Sequence, residues 1–270
     1  MKILDRILAL LFSACLLLSV GIGSAIAIAS TPAYYHWQFE ATGMYATKDE
    51  NGVETPNYVP CINGNEELYG QFTNEQLNEI VDHIICYLFT DTESFALVMD
   101  DVRINGVMMD DVSVFGDTAV KHMSDVKILL RDLSLVAVIC GGFCLLALIY
   151  FIFRARRGQG GVLFKYSLIF YGVFIGSLVA FCLYTLAQVF FYQLGMEYYT
   201  YLLWMNFHFL IFPDPSKAVG SFFNDTLTML LSLDLFMCAI VIVLGLLVLF
   251  TIGWLVFARR LDRCVQATQV

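Results

Sequence analysis

Residues 133–153 read LSLVAVICGGFCLLALIYFIF, held between Asp132 and Arg154 with no charged side chain inside. Roughly 20 residues of helix cross about 30 Å of bilayer hydrocarbon, so this stretch has the length of one membrane span. Three more runs match it: residues 7–29, the uncharged run between Lys165 and Glu197, and residues 235–257. Lipid offers no partner for a free backbone amide, which makes helix the reading for all four. The whole chain is 59% hydrophobic and 14% charged. A soluble domain is nearer half apolar and about a quarter charged. Glycines punctuate every run (Gly21, Gly23, Gly141, Gly142, Gly172, Gly176, Gly245). Small residues let helices approach closely in a bundle.

Charge orients the spans. Lys2 and Arg6 precede the first, Arg154, Arg156, Arg157 and Lys165 lie between the second and third, and Arg259, Arg260 and Arg263 follow the fourth. Positive charge collects on the cytoplasmic side, so both termini are expected there. Residues 31–132 are the opposite, with 18 acidic and 5 basic side chains, a net of −13, against −9 for the whole chain. That balance, which comes from this insert alone, argues against a nucleic-acid partner and against the insert docking on anionic lipid. The expected architecture is a mainly α integral membrane protein. It is a four-transmembrane-helix bundle with a small α+β extracytoplasmic insert between helices 1 and 2. Its parts are helix 1 (1–30), the insert (31–132), helix 2 (133–153), a cytoplasmic loop (154–165), helix 3 (166–192), an outer interfacial segment (193–234), helix 4 (235–257) and a cytoplasmic tail (258–270). Ala25-Ile26-Ala27 has the form of a signal-peptidase site. The apolar run before it exceeds the roughly 7–15 residues of a secretory core, so a retained helix is expected.

The insert opens, over residues 31–70, with loop composition and room for short strands. Thr73 and Gln76 then form a capping box, and Leu77, Ile80, Ile84 and Leu88 recur at helical spacing up to about Thr90. VRINGVMM (102–109) reads as a hairpin turning on Asn105-Gly106. Asp117 is placed as the cap of a helix that runs unbroken into the second span. Asp117, Lys121 and Asp125 are spaced four apart and able to pair along it. Cys61 and Cys86 are the cysteines on the oxidising side; a bridge and two free thiols both remain open. Residues 193–234 carry aromatics with few charges, suited to helices lying in the outer interface and broken at Pro213 and Pro215.

Four histidines are candidates for chemistry. His36, in Tyr34-Tyr35-His36-Trp37, reads as an interfacial anchor, and His83 as a solvated helix histidine. His122 has Asp125 three residues on, a spacing that puts imidazole and carboxylate on one helix face. A carboxylate there can fix the histidine tautomer, as in general-base sites, although Lys121 can claim Asp125 instead. His208 stands among aromatics in Trp204-Met205-Asn206-Phe207-His208-Phe209, where burial is costly without a partner. Ser124 and Lys127 match S-x-x-K but lack the companion motifs of that serine chemistry. Copper ligation by His122 and His208 with Met108, Met109 or Met123 has no fixed ligand set, so no metal and no cofactor is expected.

His122-Met123-Ser124-Asp125-Val126-Lys127, followed later by Phe207-His208-Phe209-Leu210-Ile211-Phe212, resembles the lipoprotein intramolecular transacylase family of four-span membrane proteins from Gram-positive bacteria. The order of spans and the large first outer segment agree with it. The resemblance implies a diacylglyceryl lipoprotein as substrate. The acyl chain at the second glycerol position would move to the α-amine of the N-terminal cysteine. It further implies His122 and His208 as catalytic residues, one base and one proton donor, in either order. Asp125, with Lys121, would support them, and Trp204, Phe207 and Phe212 would hold acyl chains. Membrane lipid is the other expected partner. The competing reading is a non-catalytic accessory or sensor protein whose acidic insert binds an envelope partner.

Overall fold

The structure is a computed structural model that describes residues 2–48, 54–55, 57, 59–65, 67–157, 161–192, 195, 206 and 226–267. Seven α-helices are described: α1 (Lys2–Ala29), α2 (Pro32–Ala41), α3 (Asn74–Phe89), α4 (Asp117–Arg156), α5 (Val162–Tyr192), α6 (Thr226–Leu230) and α7 (Leu233–Ala267). Of these, α1, α4, α5 and α7 are long and apolar enough to cross a membrane. Helices α1, α4 and α7 each contain one of the apolar runs, and α5 covers the third as far as Tyr192. The connection expected over 154–165 is shorter, because α4 continues to Arg156 and α5 starts at Val162.

The chain forms two units. The first comprises residues 1–26, 132–199 and 239–270 and contains the apolar lengths of the four long helices. In hydrocarbon there is no hydrophobic drive between helices, so packing and polar contacts must hold them. Here they converge on α1. Phe12 and Ala9 form one buried cluster with Cys144, Ala147 and Phe151 of α4 and Leu163 of α5. Trp254 of α7 donates Nε1–H to Ser167 Oγ at 3.3 Å, and Ser167 lies 2.9 Å from Ser13 Oγ. A hydroxyl has one proton to give. Ser13 gives its proton to the Ala9 carbonyl at 2.9 Å, so Ser167 is the donor to Ser13. Tyr171 OH adds a bond to the Ser13 carbonyl at 3.2 Å. Further along, Ser19 donates to the Ala137 carbonyl at 3.0 Å, beside Gly141, whose absent Cβ would stand 3.2 Å from that same hydroxyl. The close approach expected of glycines is realised at Gly141. At Gly172 and Gly176 a Cβ would meet nothing within 4 Å.

Near its start α1 carries Asp5, a buried carboxylate. It pairs with Arg154 and accepts a bond from Tyr150 OH at 2.7 Å. A charge taken out of water persists only with such partners.

The second unit comprises residues 27–131 and 200–238. Helix α2 occupies part of the stretch expected to be loop. Pro32 sits in its first turn, where a missing N–H costs nothing. Tyr35, Gln38 and Phe39 give it one buried face at i, i+3 and i+4. Its Tyr, His, Trp and Phe residues are middling helix formers, which hid it from pattern reading. Tyr35 OH donates to the Ala29 carbonyl at 2.8 Å, and burial pushes its phenol up to about 12. Helix α3 begins with the expected capping box, Gln76 N to Thr73 Oγ1 at 3.2 Å and Thr73 N to Gln76 Oε1 at 3.0 Å. It buries Leu77, Ile80, Val81, Ile84 and Tyr87. Helix α4 starts at Asp117 itself, so Asp117 is a first-turn residue and not the cap; Val120 N bonds the Gly116 carbonyl.

The short strands are β1 (Thr47–Lys48), β2 (Glu54–Thr55), β3 (Gly70–Gln71), β4 (Val98–Met99), β5 (Val102–Ile104), β6 (Val107–Met109) and β7 (Val112–Ser113). β1 pairs with β2, β5 lies between β3 and β6, and β4 pairs with β7, all antiparallel. The expected hairpin is longer than VRINGVMM. Val98 faces Ser113, Val102 faces Met109 and Ile104 faces Val107, one continuous register interrupted on both sides by two aspartates. At that break Asp101 N bonds Asp110 Oδ1 at 3.2 Å and Asp111 N bonds Asp100 Oδ1 at 3.0 Å. Asn105 and Gly106 turn the hairpin with φ of 48° and 87°. This is the positive-φ pair that a two-residue turn requires.

The Asp5–Arg154 pair supplies a stability test. Asp5→Ala leaves a guanidinium in a mostly buried place with no carboxylate. Breaking such pairs costs about 3–5 kcal/mol. Arg154 keeps 16% of its side chain exposed, which places the loss toward the lower end, about 3 kcal/mol, measured by denaturant unfolding in detergent.

Candidate active site

The first turns of α4 carry the candidate base. Ala119 and Met123 are buried in the core of the second unit, with Val120 and Val126 packed against it. At about 100° per residue, His122 falls some 80° to one side of that buried face and Lys127 about 60° to the other. The burial agrees: His122 and Lys127 are half-buried, while Lys121, Ser124 and Asp125 are exposed. Met123, one of the sulfurs weighed for copper, is a core residue 2% exposed.

The far flank is fixed. Lys127 Nζ donates to the Thr92 carbonyl at 2.7 Å and lies 4.4 Å from the centroid of the Tyr87 ring. It thus joins α4 to α3 and to the loop after it by a charge-assisted bond and a cation–π contact. That engagement also takes Lys127 away from Ser124, so the S-x-x-K pattern has no chemistry here. Beneath it Phe95 stacks on Phe115 at 4.5 Å and touches Tyr87 at 5.1 Å. His83 is part of the same support. Its Nε2 lies 3.0 Å from the Phe95 carbonyl, and the residue is half-buried, not solvated as its sequence position suggests.

On the near flank, the ion pairs expected along α4 are not made. Among the described residues Lys121 forms no ion pair with Asp117 or Asp125, and Asp125 bonds neither Lys121 nor His122. All three are exposed, where such pairs contribute little. His208, Trp204, Phe207 and Phe212 lie outside the described residues, as do the interfacial helices expected around Pro213 and Pro215. Of that segment α6 is described; Thr226 Oγ1 donates to the Cys61 carbonyl at 3.3 Å.

His36, in α2, has a buried Nε2 with no hydrogen-bond partner among the described residues. Cys61 is buried and Cys86 exposed, both as free thiols, so the open alternative of a bridge is not taken. Among the described residues no group of three His, Cys, Asp or Glu side chains is placed to hold a metal ion.

The model of the lipoprotein intramolecular transacylase Lit family matches residues 8–214, more than half of the chain. The chain belongs to the Lit family. No curated protein matches it in sequence. Its fold is similar to in meso structures of the membrane-integral lipoprotein intramolecular transacylase Lit from Bacillus cereus. One aligns with TM-score 0.57 at 14% identity, over 100% of this chain and 99% of that one. Two others, each with a single histidine replaced, by arginine in one and alanine in the other, align with TM-score 0.59 at 15% identity. These cover 99% of this chain and 94% and 96% of theirs. Membership in the Lit family supports the acyltransferase expectation over the accessory-protein one. The structural likeness carries the fold: a mainly helical membrane protein of four spans with a small sheet-bearing insert.

Sequence reasoning passed over Lys127 and the Thr92 carbonyl as a device that sets the face of α4. Nothing in the spacing signals it, because the partner is a backbone carbonyl 35 residues away. Cys86 reports on this flank. The hydroxyls of Thr92 and then Thr90 bond its thiol, and Lys127 adds its charge, holding the thiol below the ordinary cysteine range. The thiolate is the reactive form. Iodoacetamide should therefore alkylate Cys86 with a midpoint below that of a free cysteine thiol, about 8.5. Thr92→Val removes the largest contribution and should raise that midpoint; Lys127→Met should raise it less. The readout is rate against pH by peptide mass spectrometry.

Proposed function

We propose that this chain transfers the sn-2 acyl group of a diacylglyceryl lipoprotein to the α-amine of its N-terminal cysteine, giving a lyso-form lipoprotein. The Lit-family match carries this reading. Support from the chain itself is a half-buried imidazole, His122, on a helix whose opposite flank is pinned.

The chemistry sets what the residues must do. An α-amine has a pKa of about 7.7–8.0, so at neutral pH most of it is protonated and cannot attack. A histidine near 6.5 is suited to take that proton. The deprotonated nitrogen adds to the ester carbonyl through a ring of about eight atoms. Holding both ends in place is worth roughly 7–11 kcal/mol. The adduct's nitrogen then gives up a second proton, collapse breaks the ester C–O bond and the glycerol alkoxide takes that proton up, while the first, from the ammonium, leaves through the base to solvent. An amide and a free hydroxyl result, with no change in mass. We assign His122 to one proton-transfer role and His208 to the other, base and donor interchangeable. Donation to the oxyanion is worth about 2.7–4 kcal/mol in comparable chemistry. Catalytic hydrogen bonds often tighten only around bound substrate. Asp125 fits the orienting role if its carboxylate swings back one turn onto His122. Trp204, Phe207 and Phe212 are assigned to the acyl chains. Both termini are placed in the cytoplasm and the acidic insert outside, following the arginine and lysine distribution.

The decisive assay expresses the chain with a diacylglyceryl lipoprotein and analyses the N-terminal lipopeptide. The expected product has lost its free amine, and one acyl chain resists mild alkali. A free amine with two alkali-labile esters, given confirmed expression, refutes the reading. His122→Ala should lower transfer by about 10²-fold or more, the usual weight of general acid–base catalysis. The protein should still insert, since His122 lies beside the buried face of α4 and not within it. Asp125→Asn should lower the rate less; an unchanged rate removes Asp125 from the mechanism. Membrane-impermeant maleimide should label exposed Cys86 in intact cells, and absence of label reverses the assigned orientation.

A further inference from the structure

Helix α2 holds a polar atom that its own fold does not use. Nε2 of His36 is buried and, among the described residues, has no hydrogen-bond partner. A nitrogen in that state has given up water and gained nothing, which costs stability. Such groups are rare in native proteins and concentrate where function overrides stability. His36 is not needed to seat the helix. Tyr35, Gln38 and Phe39 make its buried face.

Two phenols fix where the helix lies. Tyr35 OH donates to the carbonyl of Ala29, the last residue of α1, and Tyr34 OH donates to the carbonyl of Leu235, in the first turn of α7. Both α1 and α7 have the length and apolarity of membrane spans. His36 follows the two tyrosines directly, so it stands at the level where hydrocarbon gives way to headgroups. Trp37, 50% exposed, is a residue type of that level. The acceptors that a lipid brings to this depth are the ester carbonyl oxygens on its glycerol. An imidazole N–H is a donor to such an oxygen.

We propose that His36 is a substrate-binding residue whose Nε2–H donates to the carbonyl oxygen of the ester at the first glycerol position of the diacylglyceryl lipoprotein. This rests on the acyl-transfer reading and adds a residue to it. The ester at the second position is consumed, and His122 and His208 are assigned to it; the ester at the first position survives and is the acceptor left over. The His36 ring is half-buried. A half-turn about χ2, a broad two-fold torsion, exchanges Nε2 with Cε1 and brings the nitrogen round to a ligand. Holding the ester that stays leaves the other one within reach of the amine. The site thereby tells apart two carbonyls of the same chemistry.

The test uses the full chain in dodecyl maltoside, a detergent without esters, and a synthetic dipalmitoylglyceryl-cysteine peptide as probe. Without probe, His36→Phe and His36→Leu should unfold at a midpoint equal to or above that of the unaltered chain, because each removes an unsatisfied buried nitrogen. Probe should raise the midpoint of the unaltered chain, and raise it less in both variants. His36→Gln, whose amide also offers an N–H, should keep most of the rise. In turnover, His36→Phe should raise the apparent KM roughly three- to tenfold, the weight of one neutral hydrogen bond. Its kcat should stay within about twofold, since the contact is the same in ground and transition states. Destabilisation of both apolar variants without probe makes His36 a structural residue and overturns the proposal. An equal rise in all the proteins overturns it, as does a loss of kcat at unchanged KM. The same His36-dependent rise with dioleoylphosphatidylglycerol alone overturns the assignment to the lipoprotein. Transfer by the unaltered chain with a rise that ignores His36 sinks the site and keeps the reaction; a His36-dependent rise without any transfer sinks the reaction.

Discussion

In hydrocarbon a hydroxyl is worth more as a connector than as a solvated group, and the relay through Ser13 is the contact on which the membrane-spanning unit turns. Trp254 gives a proton to Ser167, Ser167 gives one to Ser13, and Ser13 gives one to the backbone of its own helix. Three helices are thereby tied at one level with every polar atom in the chain of bonds satisfied. Phe12, next to Ser13, fills the space around the relay and is 1% exposed. Apolar packing alone would leave these helices little to choose between one another and lipid tails. The serines and the tryptophan give them a definite arrangement.

Much of this was legible beforehand, for identifiable reasons. A membrane span is written in length and absence of charge, so the four long helices stand out. The capping box at Thr73 and Gln76 and the Asn105-Gly106 turn are local codes, in which the residues that make the structure are neighbours. What stayed hidden depends on partners far away. Helix α2 is rich in aromatics with little intrinsic preference for helix, and it is fixed by contacts such as Tyr34 OH on the Leu235 carbonyl, 201 residues distant. His83 reads as a surface residue until the Phe95 carbonyl is placed over it.

The candidate site divides along the same line. His122 and Asp125 could be found because helical periodicity puts them on one face. Periodicity says nothing of whether a carboxylate uses that face, and Asp125 instead turns to solvent. Lys127 shows the converse. A motif suggested serine chemistry, whereas the side chain spans to another segment and fixes which side of α4 faces inward. A general base must be held within tenths of an ångström to be effective. The anchoring of the opposite flank is therefore as much a part of the proposed site as the imidazole.

The paired aspartates in the long hairpin have a consequence for how this part of the chain can change. Two residues are set aside on each strand, Asp100-Asp101 opposite Asp110-Asp111, and with Asp101 and Asp111 both at positive φ the cross-strand register is kept while the buried positions shift from Met99 to Val102 and Ile104. Losing or gaining a single residue on one strand would turn every later side chain on it to the other face, taking Val102 and Ile104 out of the core. Length here is free to vary only in matched steps on both strands at once. A relative with a shorter ribbon should lack both acidic pairs together.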